Sequence, residues 1–434
     1  MDRPQGLLLV YRLVAATAWN PTVRLIAIVA ATVAALGVGV AAWALIGRRA
    51  AVIAAVLFAV LSPAPHLEGF TANGELLATA FTTCAVAAAA VWWSRGRQDR
   101  RLVFIAGVLA AIGPLMKQSA VDGLLAVFAL VLVSGLFGQP GARWQLRRLL
   151  GDLVAFGLGA LLPLGLAVLH ATTIGLGDWW FTMVGHRAQT DSLIHGQFAE
   201  RVELFKLSLG PFWRDLGVLV PLFPAGLVVA GFARRLTLPL VWLLAAAAGF
   251  AVGGLYHTHY WIQLAAPLCL LAAFTLDWVA ARVPALALGL GALALAVPVA
   301  YALPIYGAST NAKASLLSSK DRRLIGSAVV GDYVQTISKP DDEMAVLWTD
   351  AALYWEADRA PAFRYMWLAP LTEIHGGLAA ARASITGPHP PAIVVVVTNV
   401  AQYDDGSVGR ALATRYDLLR SMDNMIVYRL RGAT

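Results

Sequence analysis

Apolar residues run through this chain in long blocks separated by short polar turns. The blocks fall at about 24–46, 50–66, 74–94, 102–116, 119–137, 151–173, 216–233, 236–254, 260–281 and 284–303. A helix needs roughly 20 such residues to cross the hydrocarbon of a bilayer. The second and fourth blocks are short and contain or adjoin Pro63, Pro65 and Pro114. Proline lacks a backbone donor and breaks helices, so bent or tilted spans are expected there. The pattern predicts an α-helical polytopic membrane protein of about ten spans.

Beyond about Ser315 the period changes. Leu324, Ile325, Val329, Val330 and Val334 recur at helical spacing. EMAVLWT and FRYMW are expected as strands, ALYWEADR as a helical turn and LTEIHGGLAAARASI as a helix. AIVVVVTN is a continuous apolar run of the kind a strand buried on both faces carries. A helix over GRALATRYDLL and a strand over MIVYRL close the chain. Alternating helices and strands predict a small α/β domain over 307–434, after a membrane domain over 1–306. It has no glycine-rich phosphate loop, so no nucleotide site is implied.

Composition agrees with the pattern: 59% of residues are hydrophobic and 13% charged, against roughly 25% charged in soluble domains. The net charge of +8 does not call for a nucleic-acid partner. The arginines cluster at Arg48-Arg49, Arg95–Arg101, Arg143–Arg148, Arg234-Arg235 and Arg282, in alternate turns. The positive-inside rule makes those turns cytoplasmic. Residues 1–23, 67–73, the turn near Lys117, 174–215, 255–259 and everything after about 304 then face outward. The first segment would start outside with no span to carry it there, so the expected start is truncated and a preceding helix would raise the count to about eleven. Cys84 and Cys269 sit inside apolar blocks and read as small core residues, with no disulfide framework or metal site.

The outward turns hold the candidate chemistry, since ionisable groups at membrane depth are costly and functional. Asp2 precedes Arg3-Pro4-Gln5-Gly6, a turn that can aim it into a cavity, although a free tail would carry the same letters. Glu68 and Glu75 flank a polar turn. Glu75 is compatible with a helix-start acid favoured by the dipole and with an acid that orients a hydroxyl or acts as a base. Lys117 breaks the positive-inside pattern: it either snorkels to the interface or binds a phosphate. The long loop offers Trp179 and Trp180, which suit an interfacial belt, and His186, Arg187 and His195, of which His186 and Arg187 could hold a phosphate. His257, His259 and Tyr260 enter a span. Two histidines at i, i+2 with no following carboxylate do not suit metal ligation from a helix face; they read as interfacial or as substrate contacts. Arg364 and Tyr365 read as a strand end.

In this order the pieces resemble the GT-C class of polyprenyl-phosphate-sugar-dependent glycosyltransferases, in the branch of the bacterial protein O-mannosyltransferases and the lipid A aminoarabinose transferase. The resemblance rests on Asp2-Arg3-Pro4-Gln5-Gly6-Leu7, IGRRAAVIAAVLFAVLSP, Asn73-Gly74-Glu75, GVLAAIGPLMKQSA, His259-Tyr260 and Pro390-Pro391-Ala392-Ile393-Val394. It covers nearly the whole chain, each piece being short. One departure is that the upstream acid proposed as base in that family has no counterpart here; Asp2 matches a later acid of the segment.

The resemblance implies a GT-C-like helical bundle with an extracytoplasmic α/β domain. It implies transfer of a sugar from a polyprenyl phosphate to an envelope glycan, lipid or protein hydroxyl. Asp2 and Glu75 would be catalytic, while Lys117, Arg187, His186, His257, His259 and Tyr260 would contact substrate. No cofactor is expected, and a divalent metal has no ligand cluster to support it. Arginine in preference to lysine and an alanine-rich bias point to a GC-rich bacterial genome, and so to an envelope glycan or glycolipid as acceptor; the expected location is the bacterial inner membrane, with the C-terminal domain extracytoplasmic. The alternative is a transporter or flippase of a lipid-linked or envelope substrate, which more often carries inverted repeats.

Overall fold

The computed structural model describes residues 4–17, 21–136, 142–185, 198–254, 256–309, 312–313, 316 and 323–432. The chain divides into two compact units, one spanning Arg3–Gly185 with Ile194–Pro304 and the other carrying Ile305–Thr434. The first contains helices α1 (Gln5–Thr17), α2 (Pro21–Leu45), α3 (Arg48–Leu61), α4 (Gly74–Ser94), α5 (Arg100–Met116), α6 (Asp122–Leu136), α7 (Ala142–Ile174) and α8 (Leu176–Trp180). After these come α9 (Phe198–Leu216), α10 (Leu222–Phe232), α11 (Thr237–Gly253), α12 (Ile262–Ala280) and α13 (Pro284–Gly307).

Each of the ten apolar blocks lies on one of these helices. Among the described residues five stretches are long and apolar enough to cross a membrane: Pro21–Leu45, Gly74–Ser94, Leu146–Ile174, Thr258–Ala280 and Pro284–Gly307. A sixth arises if Arg201–Leu219 and Leu222–Phe232, bent by 47°, count as one. The remaining apolar blocks lie on helices shorter than this test asks for, among them Asp122–Leu136 and Thr237–Val252. Helix α3 has 14 residues and α6 has 15, which at about 1.5 Å per residue falls short of a ~30 Å core. Helix α3 stops just before Ser62-Pro63, and Pro114 sits in the last turn of α5. Two segments read as loops hold helices instead, α1 within 1–23 and α8 and α9 within 174–215. In α9 charged and apolar residues alternate at helical spacing, so no continuous apolar block marks it.

The helices meet at small residues. A Cβ on Gly107 of α5 would lie 2.3 Å from the Phe156 carbonyl oxygen, and one on Gly159 of α7 would lie 2.1 Å from that of Phe104. Backbone-to-backbone contact of this kind supplies the dispersion that drives association where lipid removes the hydrophobic term. Helix α12 is central, with every residue from Ile262 to Leu276 buried. The start of α4, the end of α5 and the start of α12 share one end of the bundle. At the opposite end Arg49 reaches Asp277 at 2.8 Å, and Arg97 and Arg100 reach buried Asp152 at 3.1 and 3.2 Å. The arginine-rich turns thus gather at the end remote from Glu75 and Lys117.

The other unit contains α14 (Arg323–Ile337), β1 (Glu343–Leu347), α15 (Ala351–Ala357), β2 (Ala360–Pro361), α16 (Leu368–Glu373) and α17 (Gly377–Thr386). It closes with β3 (Ile393–Val396), α18 (Ser407–Arg415), β4 (Tyr416–Met422) and β5 (Met425–Leu430). The sheet order is β2-β1-β3-β5-β4. Strand β1 runs parallel to β2 and β3, and β5 runs antiparallel to β3 and β4. All four residues of β3 are buried: Val394 and Val396 pack with Ile385 and Leu412, while Ile393 and Val395 pack with Val330 and Leu353. Cover on both faces explains the unbroken apolar run. Three expectations fail. The helix expected over LTEIHGGLAAARASI breaks at residues 374–376, where Gly376 has φ +80°. FRYMW forms bends with Arg364 over the Tyr365 ring at 5.1 Å, and the nearby strand is Ala360–Pro361. Tyr-Asp-Leu-Leu starts a strand instead of ending a helix, because Asp423 and Asn424, at φ +46° and +63°, close a two-residue hairpin of the type that fits strand twist.

Gly107→Leu is expected to force α5 off α7 and to cost at least the upper part of ~1–3 kcal/mol, read as a lower melting temperature in detergent. Gly157→Leu is the matched control, since its Cβ would meet nothing within 4 Å, and its effect should stay within about 0.5 kcal/mol.

Candidate functional site

The site forms where three helix ends are forced together. The turn before α4 is tight: Gly69 donates its N–H to the Ser62 carbonyl at 3.1 Å, and a Cβ on Gly69 would sit 2.2 Å from that oxygen. Asn73 then caps α4, its side-chain oxygen accepting the Leu76 N–H at 2.8 Å while its amide donates to Thr71 Oγ1 at 3.1 Å. Such a cap satisfies one orphan amide of the first turn and fixes Glu75 in that turn. A Cβ on Gly74 would lie 2.8 Å from the Met116 carbonyl oxygen, so glycine there lets the start of α4 touch the end of α5. Lys117 ends α5 with extended backbone while its N–H still donates to the Gly113 carbonyl at 3.0 Å.

Glu75 and Lys117 consequently meet. Nζ of Lys117 lies 2.6 Å from Glu75 Oε1, with the two side chains only 6% and 4% exposed for Lys117 and Glu75. Nζ also donates to Tyr260 Oη at 3.3 Å and stands 4.3 Å from the centre of the Tyr260 ring, a cation–π contact. An ammonium has three protons, and among the described residues only Glu75 and Tyr260 partner this one. Glu75 Oε1, for its part, has no well-aligned hydrogen bond from a described residue. The pair is close, buried and incompletely satisfied.

His259 borders the pair. Its Nε2 is 3.7 Å from Glu75 Oε1 and its Nδ1 is 3.6 Å from Glu68 Oε2. His257 stacks on it with ring centres 5.6 Å apart and planes 4° from parallel, and Tyr260 stands edge-on to both. Desolvation within this cluster, followed by the charges of His259 and Lys117, pushes the His257 imidazole down to about 4, although the residue is exposed. Two neighbouring features complete this end of the bundle. Gln5 contacts His170 and accepts a hydrogen bond from Trp179 Nε1 at 2.9 Å. His66 donates its backbone N–H to Asp215 at 2.8 Å and sets Nδ1 3.0 Å from the same carboxylate.

Of the residues singled out in the sequence, Glu75, Lys117, His257, His259 and Tyr260 come together. Asp2, His186, Arg187 and His195 lie outside the described residues. The snorkelling reading of Lys117 fails: the residue is 4% exposed and its ammonium turns inward, because Glu75 and Tyr260 replace water better than the interface would. Glu75 is a first-turn acid of α4, as its helix-start reading expects, and it also faces the Lys117 ammonium. Glu68 drew notice only as a flank of the turn and proves to face His259. His66 with Asp215, and Gln5 with His170, were missed; each pair is separated by more than 140 residues, and no local spacing reveals it. No group of three or more described His, Cys, Asp or Glu residues could hold a metal.

Removing one member of a buried pair strands the other charge. Lys117→Met should therefore cost about 3–5 kcal/mol of stability, measured by thermal unfolding in detergent. Lys117→Met combined with Glu75→Gln should recover most of that loss; a double variant as unstable as the sum of the singles would show that the two groups are not coupled.

No protein-family model and no curated protein sequence matches the chain. Solved structures do match. The crystal structure of ArnT from Cupriavidus metallidurans bound to undecaprenyl phosphate aligns over 100% of this chain and 89% of its own, with TM-score 0.64 and 14% identity. The apo structure of the same protein aligns over 98% and 87%, with TM-score 0.58 and 14% identity. The chain has the ArnT-like GT-C fold: a polytopic helical bundle followed by a small mixed sheet.

Proposed function

We propose that this chain is a membrane glycosyltransferase that moves a sugar from a polyprenyl phosphate to an envelope acceptor: a glycan, a lipid or a protein hydroxyl. The observation that carries the reading is the Lys117 ammonium, buried beside Glu75 and Tyr260 with one proton unused by any described residue. It belongs to a fold shared with a protein seen bound to undecaprenyl phosphate. An ammonium held in a dry place is suited to a phosphate, and a lipid phosphate reaches a helix end while its prenyl chain stays in the bilayer.

In the proposed reaction an acceptor hydroxyl oxygen attacks the anomeric carbon. The bond from that carbon to the phosphate oxygen breaks, and the phosphate leaves with the electron pair. The hydroxyl proton passes to a carboxylate; Asp2 and Glu75 are the two we propose for it. Lys117, with Arg187 and His186, takes up the charge that grows on the leaving phosphate, a task worth several kcal/mol in a water-poor site. Glu75 also positions Lys117. His257, His259 and Tyr260 offer ring faces and edges to the sugar. No cofactor is proposed, and no nucleic acid. The arginine-rich end would face the cytoplasm of a bacterial inner membrane, which puts Lys117 on the outward side.

The test uses membranes containing the chain and polyprenyl-phosphate sugars labelled in the sugar. Label should move into an acceptor fraction, and Lys117→Met should lower the rate about 100-fold or more, the scale of losing one charge-stabilising donor. Lys117→Arg should retain part of it. The comparison is made at equal amounts of folded protein. Normal transfer by Lys117→Met would remove Lys117 from the reaction. Label that crosses the membrane still attached to its lipid, with none transferred, would favour a flippase.

A further inference from the structure

At the end of the bundle opposite Lys117 the turn between α4 and α5 and the first turns of α7 line an open cavity of about 650 Å³. Its walls include Arg97, Arg100, Arg101, Arg147, Arg148 and Asp99. We propose that this cavity binds the phosphate of an anionic membrane phospholipid.

The cavity is built and not merely a cluster of exposed cations. Asp152 is fully buried and receives Arg97 at 3.1 Å and Arg100 at 3.2 Å. Gly151 lies directly under the Arg100 guanidinium, a Cβ there standing 2.5 Å from Arg100 Cζ. Arg148 donates to the carbonyls of Gly96 and Arg97, which ties the turn to α7. These contacts fix three of the five guanidiniums. Arg101 and Arg147 have side chains with no partner among the described residues. Five arginines against the two carboxylates of Asp99 and Asp152 leave an excess of three positive charges. Guanidinium groups match phosphate oxygens in pairs of parallel hydrogen bonds, and the volume is that of a small-molecule site.

The surroundings select a lipid over a soluble anion. Leu146, Leu150 and Val154 recur at i, i+4 and i+8 on α7, all exposed, directly beside Arg147 and Arg148, and Ile105 is exposed on α5. This apolar stripe runs away from the cavity along the bundle, as an acyl chain would. Basic pockets between transmembrane helices on the cytoplasmic side hold anionic headgroups, and this end carries the arginine-rich turns. The inference does not depend on the proposed reaction at the other end.

The test is native mass spectrometry of the full chain in detergent, with equal amounts of phosphatidylglycerol and phosphatidylcholine of the same acyl chains. Phosphatidylglycerol should be retained about tenfold over phosphatidylcholine, as two or more unpaired arginines near one phosphate imply. Arg101→Gln with Arg147→Gln should abolish the preference without lowering the melting temperature, since neither side chain holds the fold. Arg234→Gln with Arg235→Gln, in another basic turn, should leave the preference intact. Excess inorganic phosphate should not displace the lipid. Equal retention of the two lipids, or an unchanged preference in the Arg101 and Arg147 variant, would overturn the proposal. Full displacement by inorganic phosphate would also overturn it, in favour of a soluble anion.

Discussion

An ammonium removed from water must be compensated on the spot, and at Lys117 a carboxylate and a phenol do so. Much of the site's architecture follows from that requirement. Glu75 can serve only if the start of α4 abuts the end of α5, which the glycine at Gly74 permits. Tyr260 can serve only if the turn into α12 reaches the same place. Among the described residues the pair is nonetheless left incomplete, with a spare proton on Lys117 and a poorly aligned contact at Glu75 Oε1. Nature more often completes a buried polar pair, because an unmet donor or acceptor is costly. An arrangement that leaves both partly unmet is well prepared for a third polar group.

The two ends of the bundle divide the charge between them. Arginines collect at one end, where Asp152 and Asp277 anchor some of them and backbone carbonyls anchor Arg148. Among the described residues the other end holds carboxylates, imidazoles and the buried Lys117. Between them α12 is buried through most of its length, so the two ends are joined by a rigid axis. The fold is shared with ArnT, and the lysine end of this bundle offers a cation suited to a phosphate.

Much of this was legible in the sequence, and the limits have physical causes. Each of the ten apolar blocks fell on one helix, because burial in protein or lipid demands continuous apolar surface. The short block over α3 carried its prolines as a sign of bending, whereas the block over α6 carried none, and that helix too has only 15 residues. Helix α9 escaped because its charges interrupt the apolar run. In the C-terminal unit the buried strand Ile393–Val396 was visible from its unbroken apolar run. The hairpin at Asp423-Asn424 was hidden, because a helix pattern ran into it without a glycine to mark the turn. At the site, Glu75, Lys117, His257, His259 and Tyr260 each stood out as polar groups at the edges of apolar blocks. That Glu75 and Lys117 form a pair, and that Glu68 faces His259, depends on which helices are neighbours. His66 and Asp215 illustrate the same limit, since nothing in either local sequence points to the other.

The central claim is that Lys117 is a phosphate-binding cation held ready by Glu75. Its most direct test is a structure of the chain with undecaprenyl phosphate bound. The account predicts a phosphate oxygen at hydrogen-bonding distance from Lys117 Nζ, about 2.7–2.9 Å, with Glu75 still against the ammonium. A phosphate bound elsewhere, with the Lys117–Glu75–Tyr260 contacts closed and unchanged, would contradict it.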